Sequence, residues 1–237
     1  MYPLLLGIGL IALCVYIREK IRACSLKAAL IKSFVSLLFI AVGVLGAYRA
    51  AAAGRADILC PFVLLGLVMG LLGDVWLDLK YVFPEKDVPF TYAGFCVFGI
   101  GHMLYLAGML LRFWPAGRPM YALLPFLPAA LLSAGNALLE KPMRLRYGEF
   151  KPVVIAYGFL LFSTVLVSGS LALANGWQVP ALNLLFIGGI LFALSDLILS
   201  GTYFGTGRDR PIDIALNYIT YYAAQFLIAS ALVALAC

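Results

Sequence analysis

The sequence predicts an all-α integral membrane protein built as a bundle of eight transmembrane helices. Hydrophobic residues make up 64 % of the 237 residues and charged residues only 12 %, whereas charged residues make up about 25 % of a typical soluble domain. Long apolar segments recur along the whole chain, with no Pro-, Gly- or Ser-rich linker between them. At about 20 residues for each span, the length suffices for about eight helices joined by short loops. We therefore expect a single transmembrane domain over residues 1–237.

Hydropathy places the eight helices in chain order. The first is the shortest, and it lacks the basic residues that precede the apolar part of a cleaved signal peptide, so we expect it to be retained. The others are long enough to cross the hydrocarbon core of a bilayer. The predicted helices cover residues 2–17, 29–48, 58–79, 91–111, 120–139, 152–174, 180–201 and 214–236.

Lysine and arginine are distributed unevenly between the connections. Those after the first, third, fifth and seventh helices, with their flanking residues, carry 13 of the 17 lysines and arginines. Because positively charged loops remain on the cytoplasmic side, both termini are predicted to lie outside. We attribute the net charge of +6 to loops that face anionic lipid headgroups, and we expect no nucleic-acid partner. The short tails and the lack of targeting motifs favour a bacterial inner (plasma) membrane.

Two carboxylates lie inside otherwise apolar segments, Asp74 in LLGDVWLDL and Asp196 in FALSDLILS. A charged side chain at the centre of a membrane helix costs about 2.5–3.5 kcal/mol, so such residues are candidates for a functional site. Removal from water favours the neutral form of a carboxylic acid, so one aspartate could act as an acid and the other as an ionised base. Alternatively, each aspartate satisfies a buried donor, or it neutralises Lys32 or a nearby arginine.

Other embedded polar residues fall at the same depth, in the cytoplasmic half, although they come from different helices. Several form pairs at i,i+3 or i,i+4 spacing, which places both members on one side of a helix. This coincidence predicts a shared cavity that faces the cytoplasm. The candidate substrate-binding residues are Lys32, Asp78, His102, Tyr105, Tyr157, Tyr221, Tyr222 and Gln225. Ser133, Asn136 and Asn217 lie at the same depth.

His102 is the only histidine of the chain. A single histidine without a cluster of cysteines argues against a zinc site, and we expect neither a metal nor another cofactor. His102 is either a donor in helix packing or a donor that orients Asp74 or contacts substrate. Asp78 lies one turn nearer the surface than Asp74, and we interpret it as a rim residue or an orienting partner.

A weak internal duplication is also indicated. The third and seventh predicted helices each carry an embedded aspartate, and in each case the next helix carries a polar donor. His102 follows Asp74 by 28 residues. Gln225 follows Asp196 by 29 residues. Four helices in each unit would preserve orientation, so the pattern favours a parallel 4+4 repeat.

Four motifs in this order resemble the YhhN family. They are the GD of LLGDVWLDL, the G-x-x-x-F-x-x-x-H-x-x-Y of GFCVFGIGHMLY, the LF-x-x-SD of LFALSDLIL and the YY-x-x-Q of TYYAAQFLIA. The resemblance implies eight transmembrane helices and lysoplasmalogenase activity. That activity is hydrolysis of the sn-1 vinyl-ether bond of lysoplasmalogens, which gives a fatty aldehyde and glycerophosphoethanolamine or glycerophosphocholine.

The resemblance also implies roles for particular residues. The two family aspartates fall on Asp74 and Asp196, and no cofactor is implied. The expected partners are a lysophospholipid substrate and membrane lipids. Lys32, Arg144 and Arg208, near the cytoplasmic rim, could meet the substrate phosphate.

Two other classes of function are compatible with the same residues. A small transporter or lipid translocator would use the carboxylates to bind a proton, a cation or its substrate. A ligand-sensing or scaffold protein would have a polar core of structural purpose only. A transporter needs openings to both sides, whereas the polar residues cluster toward one side, so the hydrolase is the preferred hypothesis.

Overall fold

The computed structural model describes residues 1–23, 25–138, 140–205 and 210–235. Within these residues the chain is mostly helical, without a β-strand. Only a single antiparallel bridge joins Leu145 to Gly205. The helices are α1 (Tyr2–Arg22), α2 (Leu26–Ala52), α3 (Leu59–Val82), α4 (Asp87–Phe113), α5 (Met120–Leu123), α6 (Phe126–Leu138), α7 (Lys151–Ala174), α8 (Pro180–Phe204) and α9 (Pro211–Ala234).

The predicted all-α membrane class is confirmed, but the count of eight spans is not. Seven described helical segments are long and apolar enough to cross a membrane. They correspond to α2, α3, α4, α5 together with α6, α7, α8 and α9, whereas α1 is not among them. The helix α1 ends at Arg22 rather than at residue 17, because it continues through the charged segment that ended the apolar run in the sequence.

The boundaries of the helices follow from local chemistry. Ser25 caps α2 by accepting a hydrogen bond from the backbone amide of Ala28. Proline stands in the first turn of α7, α8 and α9, where a missing amide hydrogen costs nothing. The predicted fifth helix, 120–139, is broken between α5 and α6 at Pro125, which cannot donate to the preceding turn and clashes with it.

Consecutive long helices run antiparallel and pack in a defined order. The helix α3 packs against α4, and α8 packs against α9, while α2 lies against both α3 and α9. The helix α7 contacts α4, α6 and α8, and α1 covers α2 and α9. Glycines allow close approach on α3, since a Cβ atom added at Gly70 would lie 2.6 Å from Nε2 of Gln225 on α9.

One end of the bundle carries the α1–α2, α3–α4, α6–α7 and α8–α9 connections, and we call it the polar end. Contacts between distant parts of the chain define it. Lys20 at the end of α1 meets Asp78 near the end of α3, and the amide of Arg146 donates to the carbonyl of Phe204 at the end of α8. Charged and polar residues from several helices are therefore brought together at this end.

Candidate active site

A cavity opens into the bundle at the polar end, lined by α2, α3, α4, α6, α7, α8 and α9. It encloses about 900 Å³ of space not filled by protein, its mouth included. Both Asp74 and Asp196 line it, and we call it the aspartate cavity. Most of its wall is apolar, with aromatic side chains such as Phe95 and Phe98. An apolar cavity with a few polar groups is the usual form of a small-molecule site.

Asp74 on α3 is held by groups from two neighbouring helices. The Lys32 ammonium of α2 lies 3.2 Å from its Oδ1. The Ser36 hydroxyl, also on α2, donates to its Oδ2 at 2.6 Å, and the Tyr221 hydroxyl of α9 donates to the same oxygen at 2.8 Å. The contact between Asp74 and Lys32, which the sequence suggested as an alternative to a catalytic role, is therefore present. The carboxylate is fixed in position and its charge is offset.

Lys32 also belongs to a larger group of charges, which we call the lysine–aspartate network: Lys20, Asp78, Lys32 and Asp74. Lys20 of α1 lies 2.8 Å from Oδ1 of Asp78, and Lys32 lies 3.5 Å from the same oxygen. All four side chains are at most 5 % exposed. Two positive and two negative charges balance, which makes their burial tolerable.

Two expectations from the sequence are corrected by this network. Asp78 is buried rather than at the rim, because α1 extends over it and supplies both Lys20 and the Tyr16 hydroxyl, which donates at 3.4 Å. Asp78 orients the network but does not line the aspartate cavity. Because the sequence predicts that the first helix ends at residue 17, it places Lys20 in a loop. The contact of Lys20 with Asp78 depends on the longer α1.

Asp196 on α8 has different surroundings. The Tyr157 hydroxyl of α7 donates to its Oδ2, and the carboxyl is partly buried. Among the residues that the structure describes, no lysine, arginine or histidine forms a salt bridge with Asp196. The Tyr157 ring packs edge-on against Phe95, with ring centroids 5.4 Å apart. Within the described part of the chain, Asp196 thus has one hydrogen-bond donor and no salt-bridge partner.

His102 is placed beside the aspartate cavity but not in its wall. Its Nδ1 lies 3.2 Å from the Thr164 hydroxyl oxygen, and its ring packs against Phe192 at a centroid distance of 4.9 Å. The hypothesis that His102 orients Asp74 is not met, because the side chain is directed toward α7 and α8. Within the described residues, His102 Nε2 and the buried Tyr105 hydroxyl have no hydrogen-bond partner.

Two other candidates support the residues that line the cavity. Gln225 donates from Nε2 to the Tyr221 hydroxyl at 3.0 Å, and Tyr221 in turn donates to Asp74. The Tyr222 hydroxyl donates to the Lys32 backbone carbonyl at 3.2 Å. Of the candidate site residues proposed from sequence, those in the cavity wall are Lys32, Asp74, Tyr157, Asp196 and Tyr221, and two of the polar residues expected at the same depth, Asn136 and Asn217, also line it.

Some contributors were not singled out from the sequence. Ser36 stands four residues after Lys32, so helical spacing alone could have indicated a shared face. Ser195 was also not singled out, and it joins α8 to α9, since Nδ2 of Asn217, whose depth the sequence did indicate, donates to the Ser195 carbonyl at 2.8 Å. Tyr218 also lines the cavity, next to Asn217. It carried no signal in the sequence beyond its position in an amphipathic stretch.

The predicted 4+4 repeat is not confirmed. Asp74 has a lysine and two hydroxyl donors, whereas Asp196 has one tyrosine and no salt bridge within the described residues. The donors that suggested the repeat, His102 and Gln225, bond to other side chains. The two aspartates therefore differ in their surroundings, and this difference permits different chemical roles.

Two arginines had been expected to meet a phosphate near the cavity. Arg144 lies exposed in the α6–α7 connection and does not line the aspartate cavity. Arg208 lies outside the described residues. Over the described ranges, no group of three or more His, Cys, Asp or Glu side chains could hold a metal ion.

The fold and the site define an α-helical integral membrane protein with a largely apolar cavity that contains two unlike carboxyl groups. A family model described as the YhhN family matches residues 27–232, nearly the whole chain. The chain belongs to the YhhN family, as the sequence motifs indicated. The matched region begins after α1 and therefore does not include Lys20. The comparison with curated proteins found no match, and neither did the comparison with solved structures.

Proposed function

We propose that the protein hydrolyses the sn-1 vinyl-ether bond of lysoplasmalogens, releasing a fatty aldehyde and a glycerophospho-alcohol. Membership of the YhhN family supports this activity, which the sequence resemblance implies. The observation that carries the proposal is the pair Asp74 and Asp196, which come from different helices and share the wall of one mostly apolar cavity. Among the described residues, a lysine offsets Asp74, whereas none forms a salt bridge with Asp196.

The first step is proton transfer to carbon. A vinyl ether resists nucleophiles, but its double bond takes a proton at the carbon β to oxygen and becomes an oxocarbenium ion. We assign the proton donor to Asp196, since no positive charge within the described residues offsets an ionised carboxylate there. Tyr157 holds one oxygen of Asp196 and thereby fixes the direction of the acid.

The second step uses water and Asp74. We assign Asp74 the role of the ionised carboxylate that stabilises a nearby cation, because Lys32 offsets its charge at 3.2 Å. Asp74 takes a proton from the water as its oxygen bonds to the cationic carbon, giving a hemiacetal. In the collapse, Asp196 takes back the hydroxyl proton and Asp74 protonates the departing glycerol oxygen. One water is consumed, and both carboxyl groups return to their initial states.

The wall of the cavity suits this substrate. Leu161 and Phe162 of α7 lie in the same wall as Phe95 and Phe98 of α4 and offer an apolar surface to the alkenyl chain. Such a surface also excludes bulk water, which favours proton transfer from a neutral acid. The substrate would enter from the membrane, on the side predicted to be cytoplasmic.

The proposal is tested by aldehyde release from 1-alkenyl-lysophosphatidylethanolamine, with the 1-acyl analogue as a second substrate. Asp74→Asn and Asp196→Asn should each lower turnover of the vinyl ether by at least about 100-fold, the lower range for loss of a general acid or base. Asp87→Asn is the matched control, because this carboxylate is 57 % exposed and lies away from the cavity. It should leave turnover near the wild-type rate.

Deuterated water gives a second readout that is specific to the mechanism. Protonation at carbon should place one solvent deuterium on the carbon next to the aldehyde, detected after immediate reduction to the alcohol. Absence of turnover by folded protein would remove the hydrolase proposal for this substrate and favour the transporter. Turnover that survives both asparagine substitutions would exclude the proposed mechanism.

A further inference from the structure

A second concave surface lies at the polar end, directly beside the aspartate cavity. It is formed by the last turns of α1, α3 and α8 and the first turns of α9. We call it the basic crevice, and its principal polar lining residues are Lys20, Arg22, Tyr81, Thr202, Tyr203 and Tyr218. Tyr203, Asn217 and Tyr218 line both the crevice and the cavity. A single layer of side chains therefore separates the two.

The charge of the crevice is positive. Its described lining includes Lys20 and Arg22 but no carboxylate. Lys20 is engaged with Asp78 behind the wall, whereas Arg22 is exposed and forms no salt bridge within the described residues. Lys80 also stands close by, with its ammonium 3.6 Å from the centroid of the Tyr203 ring, but it is paired with Asp87 at 3.3 Å, so the available positive charge of the crevice is that of Arg22. The crevice thus suits an anionic group.

The aspartate cavity, in contrast, suits an anion poorly. The only lysine in its described lining, Lys32, is already shared between two carboxylates, at 3.2 Å from Asp74 and 3.5 Å from Asp78. A phosphate placed there would find no unpaired positive charge in that lining. In a lysophospholipid, only a glycerol unit separates the sn-1 oxygen from the phosphate. A substrate with its ether in the cavity must therefore place its phosphate on an adjacent surface.

We propose that the basic crevice binds the zwitterionic headgroup of the lysophospholipid, with Arg22 at the phosphate. This inference rests on the proposed function for the identity of the substrate. The carbonyl groups at the end of α1 carry about half a negative charge, which the full positive charge of Arg22 outweighs. The same carbonyl groups are suited to the ammonium of ethanolamine or choline. The shared wall then places the glycerol between the headgroup and the two aspartates.

The proposal predicts an effect on substrate affinity that depends on the phosphate. Arg22→Gln should raise KM for 1-alkenyl-lysophosphatidylethanolamine by about tenfold, because a charge-assisted contact is lost, and should change kcat by less than about twofold. KM for 1-alkenylglycerol, which has the vinyl ether but no phosphate, should stay unchanged. Arg18→Gln is the matched control, since Arg18 is exposed on the same helix but does not line the crevice. Equal effects of the two substitutions, or equal effects on both substrates, would overturn the proposal.

A binding measurement separates this proposal from the proposed reaction. Glycerophosphoethanolamine should raise the melting temperature of the wild type and of Arg18→Gln, and it should do so much less for Arg22→Gln. Equal stabilisation by inorganic phosphate would overturn the headgroup assignment in favour of a free-phosphate site. Arg22-dependent binding without any hydrolysis would retain the crevice and refute the reaction. Hydrolysis with an unchanged KM in Arg22→Gln would retain the proposed reaction and refute the crevice as the headgroup site.

Discussion

The lysine–aspartate network predicts a large and strongly non-additive loss of stability when one of its charges is removed. Lys20 and Asp78 are 2.8 Å apart and almost fully buried. Removing one partner of a buried ion pair costs about 3–5 kcal/mol, because the other charge is left uncompensated. In Lys20→Met, Asp78 keeps Lys32 at 3.5 Å and the Tyr16 hydroxyl. We therefore expect a loss at the lower end, about 3 kcal/mol.

The double substitution Lys20→Met with Asp78→Asn should restore most of that stability. It removes one charge of each sign and leaves Lys32 paired with Asp74 at 3.2 Å. Replacing both partners of a buried pair is often close to neutral, so we expect a net loss of at most about 1 kcal/mol. Each single substitution alone should cost about 3 kcal/mol, and simple addition would give about 6 kcal/mol.

Reversible unfolding in mixed detergent micelles measures these free energies. Lys27→Met is the matched control, since the Lys27–Glu19 pair has a similar length of 3.0 Å but its lysine is 69 % exposed. This control should leave the midpoint of unfolding close to that of the wild type. Equal losses in Lys20→Met and Lys27→Met, or additive losses in the double variant, would refute the interpretation of the network.

Two further predictions concern the hydrogen bonds at the polar end. Tyr157→Phe should lower kcat by about 10–100-fold with little change in KM, since it removes the hydroxyl that directs the proposed acid and leaves the ring in the cavity wall; a changed KM at constant kcat would contradict this role. Glu140 accepts hydrogen bonds from Lys151 and from the backbone amide of Tyr147, and the Lys151 hydrogen bond above all lowers the pKa of this carboxyl below its usual value. Because the pKa is lower in the folded state, this contribution to stability is present at neutral pH and disappears as the pH falls through the lowered pKa. The protection factor of the Tyr147 amide against hydrogen exchange, corrected for the intrinsic pH dependence of exchange, should fall in that acidic range, and Glu140→Gln should weaken this pH dependence.

The sequence identified the two aspartates because the free-energy cost of a carboxylate in an apolar segment can be recognised from that segment alone. A carboxylate in an apolar segment must have a purpose or a partner, whatever the fold. The break of the fifth helix at Pro125 could also be predicted from the sequence, since the missing amide hydrogen of proline is a local property. Hydropathy alone overlooked it, because the segment remains apolar on both sides of the proline.

The burial of Lys20 and Asp78 could not be predicted in the same way. Their segments look like helix ends that enter water, and only the contact between α1 and α3 turns them into interior residues. The direction of His102 is another non-local property. The orientation of α4 about its own axis places the His102 ring against Thr164 and Phe192, and no residue spacing within α4 determines that orientation.

The position of Lys20 on α1 also has a consequence for the order in which the protein assembles in the membrane. Lys20 and Asp78 lie on different helices, and they neutralise each other only when the end of α1 reaches the last turns of α3. In a two-stage process, helices insert first and associate afterwards. The polar end would then reach its final charge balance at the association stage, when the first helix docks.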